Sequence, residues 1–230
     1  MDRQGYELRD GEDREDTNGL HDEARERGSR FDIFPLVLSE SRSFVYNKII
    51  HELIAHETVF TDYNKACEDH CMECETCARA IRAVTNALIH PDAMVWEVWS
   101  TGDTVDLTGI LYVTDVVVGC DAKAHYAFFD NDLWGKTDVI KSVIDWLFED
   151  HPEWVALSRL TIEIPDFAFA LAAHATRKLG FGGDNEYTTR KKSGKKSRTI
   201  PVEGVKRNAL LWRDMYRDVL VLGLLNQRIN

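Results

Sequence analysis

Two stretches of this chain hold residues whose types and spacing suit chemistry. The first is CEDHCMECETC, Cys67 to Cys77, which carries four of the five cysteines. Wound as a helix, it places Cys67, His70, Cys71, Cys74 and Cys77 on one face. Thiolate and imidazole are ligands that zinc accepts, so Cys67, Cys71, Cys74 and Cys77 are candidate zinc ligands. One straight helix cannot wrap four ligands tetrahedrally around one ion. A break or a partner chain is needed, and free thiols facing a core are the alternative. The cluster also contains C-x3-C-x2-C, the spacing of an iron–sulfur site in radical enzymes, but that site belongs on a loop rather than inside a helical pattern. HELIAH, His51 to His56, does not make a zinc-protease motif, because its histidines are not four apart on one helix face.

The second stretch is FFDNDLWGKTDVIKSVIDWLFED, Phe128 to Asp150. An apolar strand-like run ends, Gly135 follows with Lys136 and Thr137, and a helical pattern begins at once. Strand, glycine, helix is the layout in which the N–H groups of a first helical turn hold a phosphate. It is equally the layout of a plain turn.

The elements that position these residues are legible from periodicity. Residues 1–30 are charged throughout and nearly free of large apolar side chains, which predicts a disordered tail or a partner-binding arm. A strand is expected at Phe31–Glu40. Helices follow, one carrying Phe44, Ile49, Leu53, Ile54 and Val59, the other over roughly Tyr63 to Ile89. Strands are expected at Ala93–Thr101, Val105–Val116 and Ala122–Asp130 as an antiparallel meander. The helix Thr137–Glu149 has an apolar face of Val139, Ile140, Val143, Ile144, Leu147 and Phe148. A buried strand at Leu157–Pro165 and a helix with Asp166 as N-cap and Gly180 as its stop come next. Two closing strands joined at Arg213-Asp214 finish the order β-α-α-β-β-β-α-β-α-β-β. This is a mixed α/β sheet with helices on both faces.

Composition bounds the partners. The 230 residues carry a net charge of −11, which argues against general nucleic-acid binding. The exception is RKKSGKKSR, Arg190 to Arg198, read as a solvated loop tip between two strands or as a contact for an anion. No run reaches the roughly 18 apolar residues of a membrane helix, and residues 1–16 lack the apolar core of a signal peptide. A soluble, cytoplasmic protein with reduced thiols is the expectation.

The strings RKLGF (Arg177–Phe181), LWGKTDVIKSVIDWLF and ALLWRDMYRDVLVLGLL, in this order of elements, resemble the GNAT N-acetyltransferase superfamily over Phe31 to Asn230. They are most similar to the divergent GNAT-like proteins of bacteriophages, some of them enzymes and some virion components. The resemblance implies a GNAT-like acyltransferase domain over 31–230. It also implies a V-shaped gap beside the strand that precedes the loop, with acetyl-CoA held there by Phe129, Trp134, Gly135, Lys136 and Thr137. An amine on a small molecule or a protein would enter from the other side. Departures stand beside it. Asp132 replaces the family's Gln or Arg, and Thr137 replaces a small residue. Of the three helix positions before LGF, Ala172 matches, while Phe169 and Thr176 replace an Asn and a Tyr. The implied catalytic residues are His125 as general base, with Asp115 and Glu163 as other options, and Thr176 in the general-acid position. His125 has a bland alternative as a strand histidine, Asp115 as a turn residue and Glu163 as an outward strand position. The function implied is an acetyl-CoA-dependent N-acetyltransferase. The alternative is a non-enzymatic phage structural or accessory protein that meets a virion or host partner through its N-terminal tail.

Overall fold

The computed structural model describes residues 31–37, 39, 42–55, 75–101, 105–129, 136–152, 154–189, 197–212 and 215–228. Strand β1 (Phe31–Pro35) leads to helices α1 (Ser43–Ala55) and α2 (Glu75–Leu88). Strands β2 (Met94–Ser100), β3 (Leu107–Val117) and β4 (Asp121–Phe128) follow, then α3 (Thr137–Leu147) and β5 (Arg159–Pro165). A short 3-10 turn, Asp166–Ala168, opens α4 (Phe169–His174), which runs into a π-helical turn, Ala175–Leu179. The chain closes with β6 (Asn185–Thr188), β7 (Thr199–Val202), β8 (Gly204–Trp212) and β9 (Met215–Leu225).

Seven strands form one sheet in the order β1-β2-β3-β4-β5-β9-β8, and β6 pairs with β7 separately. All neighbours in the large sheet are antiparallel except β4 and β5. The mixed sheet and helical faces match the architecture expected from the sequence. Each face buries its own core. Val45, Ile49, Leu53 and Val84 of α1 and α2 pack on Ile110 and Ala127. On the opposite face, α3 presents Val139, Ile140, Val143, Ile144 and Leu147 at helical spacing to Leu111, Ile162 and Leu222. Burying such side chains contributes about 1.5–3 kcal/mol each, which is why α3 docks despite lacking a side-chain cap at its start.

One expectation needs correcting. Asp166 is the first residue of a 3-10 turn with no side-chain cap, not the N-cap of α4, because the chain enters that helix from Pro165 through a tighter winding. The hairpin β6–β7 flanks the cationic loop, as its reading as a loop tip between two strands expects, and adds two strands to the element order; 190–196 lie outside the described residues. The expected second helix is described only over Glu75–Leu88, and the N-terminal tail, 1–30, also lies outside the described residues. Gly180 does close its helix, at φ 82°, a backbone conformation glycine adopts at little cost. Among the described residues no helix is long and apolar enough to cross a membrane.

Candidate active site at a parted pair of strands

The parallel pair β4–β5 is short. Register runs only through Asp121↔Arg159, Ala122↔Leu160 and Lys123↔Thr161, after which the strands separate. Each remains paired on its other side, β4 to β3 as far as Phe128 and β5 to β9 as far as Pro165. The main-chain edges of the gap follow from alternation. Phe129 N–H donates to the Thr108 carbonyl at 2.9 Å, so His125 and Ala127 also turn their backbone groups toward β3. The N–H and C=O of Ala124, Tyr126 and Phe128 therefore face the gap. This is an open strand edge inside a sheet, ready to pair with an extended amide-bearing chain.

At the wide end of the gap, α3 starts with Lys136 at its N-cap and no side chain capping its first turn. Those N–H groups carry the positive end of the helix dipole. The Lys136 side chain is wholly buried, with Nζ 4.9 Å from the Phe128 ring centroid and 5.6 Å from that of Phe31. Two rings, from β1 and β4, take its ammonium in cation–π contact, so this side chain does not reach out as the sequence reading of Lys136 as a cofactor-holding residue implies. Thr137 Oγ1 lies 3.3 Å from His174 Nε2, tying the start of α3 to the end of α4. Burial, with a smaller push from Lys178, holds the His174 imidazole below its ordinary value.

Two cavities meet at the gap. On the α1/α2 face is one of about 510 Å³, with Leu53, Val84 and Leu88 above and His125, Glu163 and Lys206 below. On the α3 face is one of only about 20 Å³, between Tyr126, Ile140, Ile144, Ile162 and Phe181. His125 and Tyr112 line both.

His125 sits two residues past the last paired position of β4. Its Nε2 lies 3.1 Å from Thr114 Oγ1 and its ring stacks on Tyr112. Burial pushes its pKa down to about 4, against the pull of Glu163, so the imidazole is neutral at pH 7 and less basic than an exposed one. Burial likewise pushes the Tyr112 phenol up to about 12. Glu163 Oε1 accepts from Lys206 Nζ at 2.7 Å and lies 3.5 Å from Lys123 Nζ. Burial pushes this carboxyl up, but the two lysines together outweigh it and hold it below the usual value. Asp115, in a bulge of β3 at φ 53°, pairs with Lys123 at 2.8 Å; that hydrogen bond keeps its carboxyl low, and it lines neither cavity.

Thr176 lies in the π turn, donates to the Ala172 carbonyl at 3.0 Å and lines neither cavity. Phe129 packs with the α1/α2 cluster. Trp134, Gly135, Cys67, Cys71 and Cys74 lie outside the described residues, and Cys77 is described only in its backbone, within α2. Among the described residues, no three His, Cys, Asp or Glu side chains gather as metal ligands would.

Sequence reasoning missed Tyr126 and Lys206. The Tyr126 hydroxyl is buried with no hydrogen-bond partner among the described residues, and burial pushes its pKa upward. The period-two pattern of AHYAFF does place Tyr126 opposite His125 on the strand, but only the parting of β4 from β5 gives that position a meaning.

No family model and no curated protein sequence matches the chain. Solved structures do. A probable acetyltransferase of the GNAT family from Chromobacterium violaceum is 17% identical with TM-score 0.53, over 87% of this chain and 85% of that one. The ribosomal L7/L12 α-N-protein acetyltransferase RimL, in complex with coenzyme A, is 11% identical with TM-score 0.55, over 84% and 93%. A spermidine N-acetyltransferase from Vibrio cholerae, in complex with coenzyme A and spermine, is 11% identical with TM-score 0.55, over 87% and 99%. At such identities the likeness is one of architecture: this chain has the fold of the GNAT acetyltransferases.

Proposed function

We propose that the protein is an acetyl-CoA-dependent N-acetyltransferase whose acceptor amine enters from the α1/α2 face. The observation that carries the reading is the parting of β4 from β5 after three register pairs, with an uncapped helix start at its wide end. The coenzyme A held by similarly folded acetyltransferases supports the same reading.

The residues present fit such a cofactor in their main chain. Ala124, Tyr126 and Phe128 offer an amide edge to its arm, and the first turn of α3, from Thr137, offers N–H groups to its pyrophosphate. Gly135 and Trp134 complete the loop by resemblance. Lys136 contributes through its backbone, its ammonium lying behind the helix start. The side chains fit less freely, since a space of about 20 Å³ beneath α3 admits the arm only if Tyr126 swings aside.

The cofactor would supply an acetyl thioester; the ammonium form of the acceptor first gives one proton to solvent, and transfer then forms a C–N bond, breaks the C–S bond and moves a second proton from nitrogen to sulfur. Glu163 draws the ammonium form of the acceptor into the cavity. His125, neutral and at the junction of the two cavities, accepts a hydrogen bond from the amine. Thr176 has its hydroxyl on a backbone carbonyl, so Tyr126, buried at the gap, is the better-placed proton donor.

Calorimetric titration with acetyl-CoA tests the reading. Micromolar binding, lost on Gly135→Asp, is expected, because a carboxylate at the cradle repels the pyrophosphate. Absence of binding at millimolar ligand would sink it. The narrow space under α3 would then favour the second reading, a catalytically silent protein of this fold that meets a virion or host partner through residues 1–30.

A further inference from the structure

The α1/α2-side cavity has a charge pattern that narrows the acceptor. Its wall carries one acid and one base side by side, Glu163 and Lys206, beneath an apolar roof of Leu53, Val84 and Leu88. Among the described residues no other carboxylate lines it. Both lysines that reach Glu163 engage the same oxygen, Oε1, so Oε2 is left to accept from a ligand. Lys206 spends one of its three donors on Glu163, and its side chain is half exposed.

These placements decide between classes of amine. A polyamine brings two or more positive charges, and among the described residues the wall offers one acid, which already meets two ammonium groups. A plain monoamine would satisfy Oε2 but leave the remaining donors of Lys206 without a partner from the ligand. A molecule with an ammonium and a carboxylate on one carbon matches both, because Lys206 Nζ and Glu163 Oε1 are themselves only 2.7 Å apart. The apolar roof then takes a hydrocarbon side chain, and about 510 Å³ falls within the roughly 300–1,000 Å³ usual for small-molecule sites.

We propose that the acceptor is a free α-amino acid with an apolar side chain, its ammonium on Glu163 Oε2 and its carboxylate on Lys206. This rests on the acetyltransferase reading for its consequence, since the α-nitrogen so held is the atom that would take the acetyl group. The site itself is a binding site for a zwitterion and is measurable without turnover.

The test is calorimetry on the full chain with leucine, leucinamide and spermidine, with and without acetyl-CoA, repeated for Lys206→Met and Glu163→Gln. Thermal unfolding midpoints confirm that both variants fold. Leucine is expected to bind at least ten times more tightly than leucinamide. Lys206→Met should erase that preference, and Glu163→Gln should lose leucine. Equal binding of leucinamide or spermidine overturns the proposal, as does a Lys206→Met chain that keeps its affinity for leucine. Acetyl-CoA bound with no leucine bound also overturns it while leaving acetyl transfer to another amine standing. Leucine bound with no acetyl-CoA bound supports the pocket and removes the transfer reaction.

Discussion

The imidazole of His125 lies 4.5 Å from the ring of Tyr112, the planes 11° apart, across a register pair of β3 and β4. The stack holds a neutral ring in a place that disfavours charge. Between its ordinary value of 6.5 and its folded value of about 4, the folded chain binds fewer protons at this site than the unfolded chain. Stability is therefore lost as pH falls through that window, by on the order of 3 kcal/mol from this residue. Urea unfolding at pH 7 and pH 4.5 should show a smaller acid loss in His125→Gln than in the parent. Equal losses would show that the ring is not held neutral.

Tyr126→Phe should move stability and binding in opposite directions. The free protein gains up to about 1 kcal/mol, because a buried hydroxyl without a partner is removed. Affinity for acetyl-CoA falls if that hydroxyl serves the cofactor at the gap. Denaturant unfolding and calorimetry on the same preparation read both, and a parallel fall in the two would assign Tyr126 a structural role only.

Arg42 donates to the fully buried Glu97 at 2.5 Å, and Trp99 Nε1 donates to the same carboxylate at 2.8 Å. The pair fastens the entry of α1 to β2, beneath the helix that roofs the large cavity. Arg42→Met should cost about 3 kcal/mol or more, and adding Glu97→Gln should recover part of it, because the penalty falls on a fully buried carboxylate that loses the Arg42 guanidinium. Additive losses in the double variant would refute this account.

Gly109→Ala and Gly204→Ala should differ sharply. A Cβ at Gly109 would meet Phe128 Cδ1 at 2.5 Å and the Ala127 carbonyl at 2.6 Å, whereas one at Gly204 meets nothing within 4 Å. The first should cost about 1–3 kcal/mol by overpacking, the second under about 0.5 kcal/mol. Because the displaced ring borders the gap, Gly109→Ala should also weaken acetyl-CoA binding. Thermal unfolding and titration of the two variants check both statements.

The sequence shows what is decided locally. Val139 to Leu147 announce α3 by spacing alone, and the meander β2–β4 is visible from its turns. The site is decided by long-range pairing, which a single sequence does not display. Glu163 and Lys206 meet across 43 positions, and whether β4 and β5 stay together depends on where each finds its other neighbour. Lys136 misleads for the same reason: the rings that bury it include Phe31, more than a hundred residues away. The strands of hairpin β6–β7 are implied by the cationic loop tip between them but hard to bound, because NEYT is mostly polar and its partner shows only once Tyr187 faces Ile200.

Three register pairs join β4 to β5, so the large sheet is nearly two sheets sewn by a short seam. The division follows chain order, with β1 to β4 on one side and β5, β9 and β8 on the other. Neighbouring hairpins close short loops, whereas β5 must wait for β9, about sixty residues later, to complete its partner list. Both strands of the seam leave the ribosome before β9 does, so a ribosome-bound chain would display the meander half with β5 joined to it by this short seam alone.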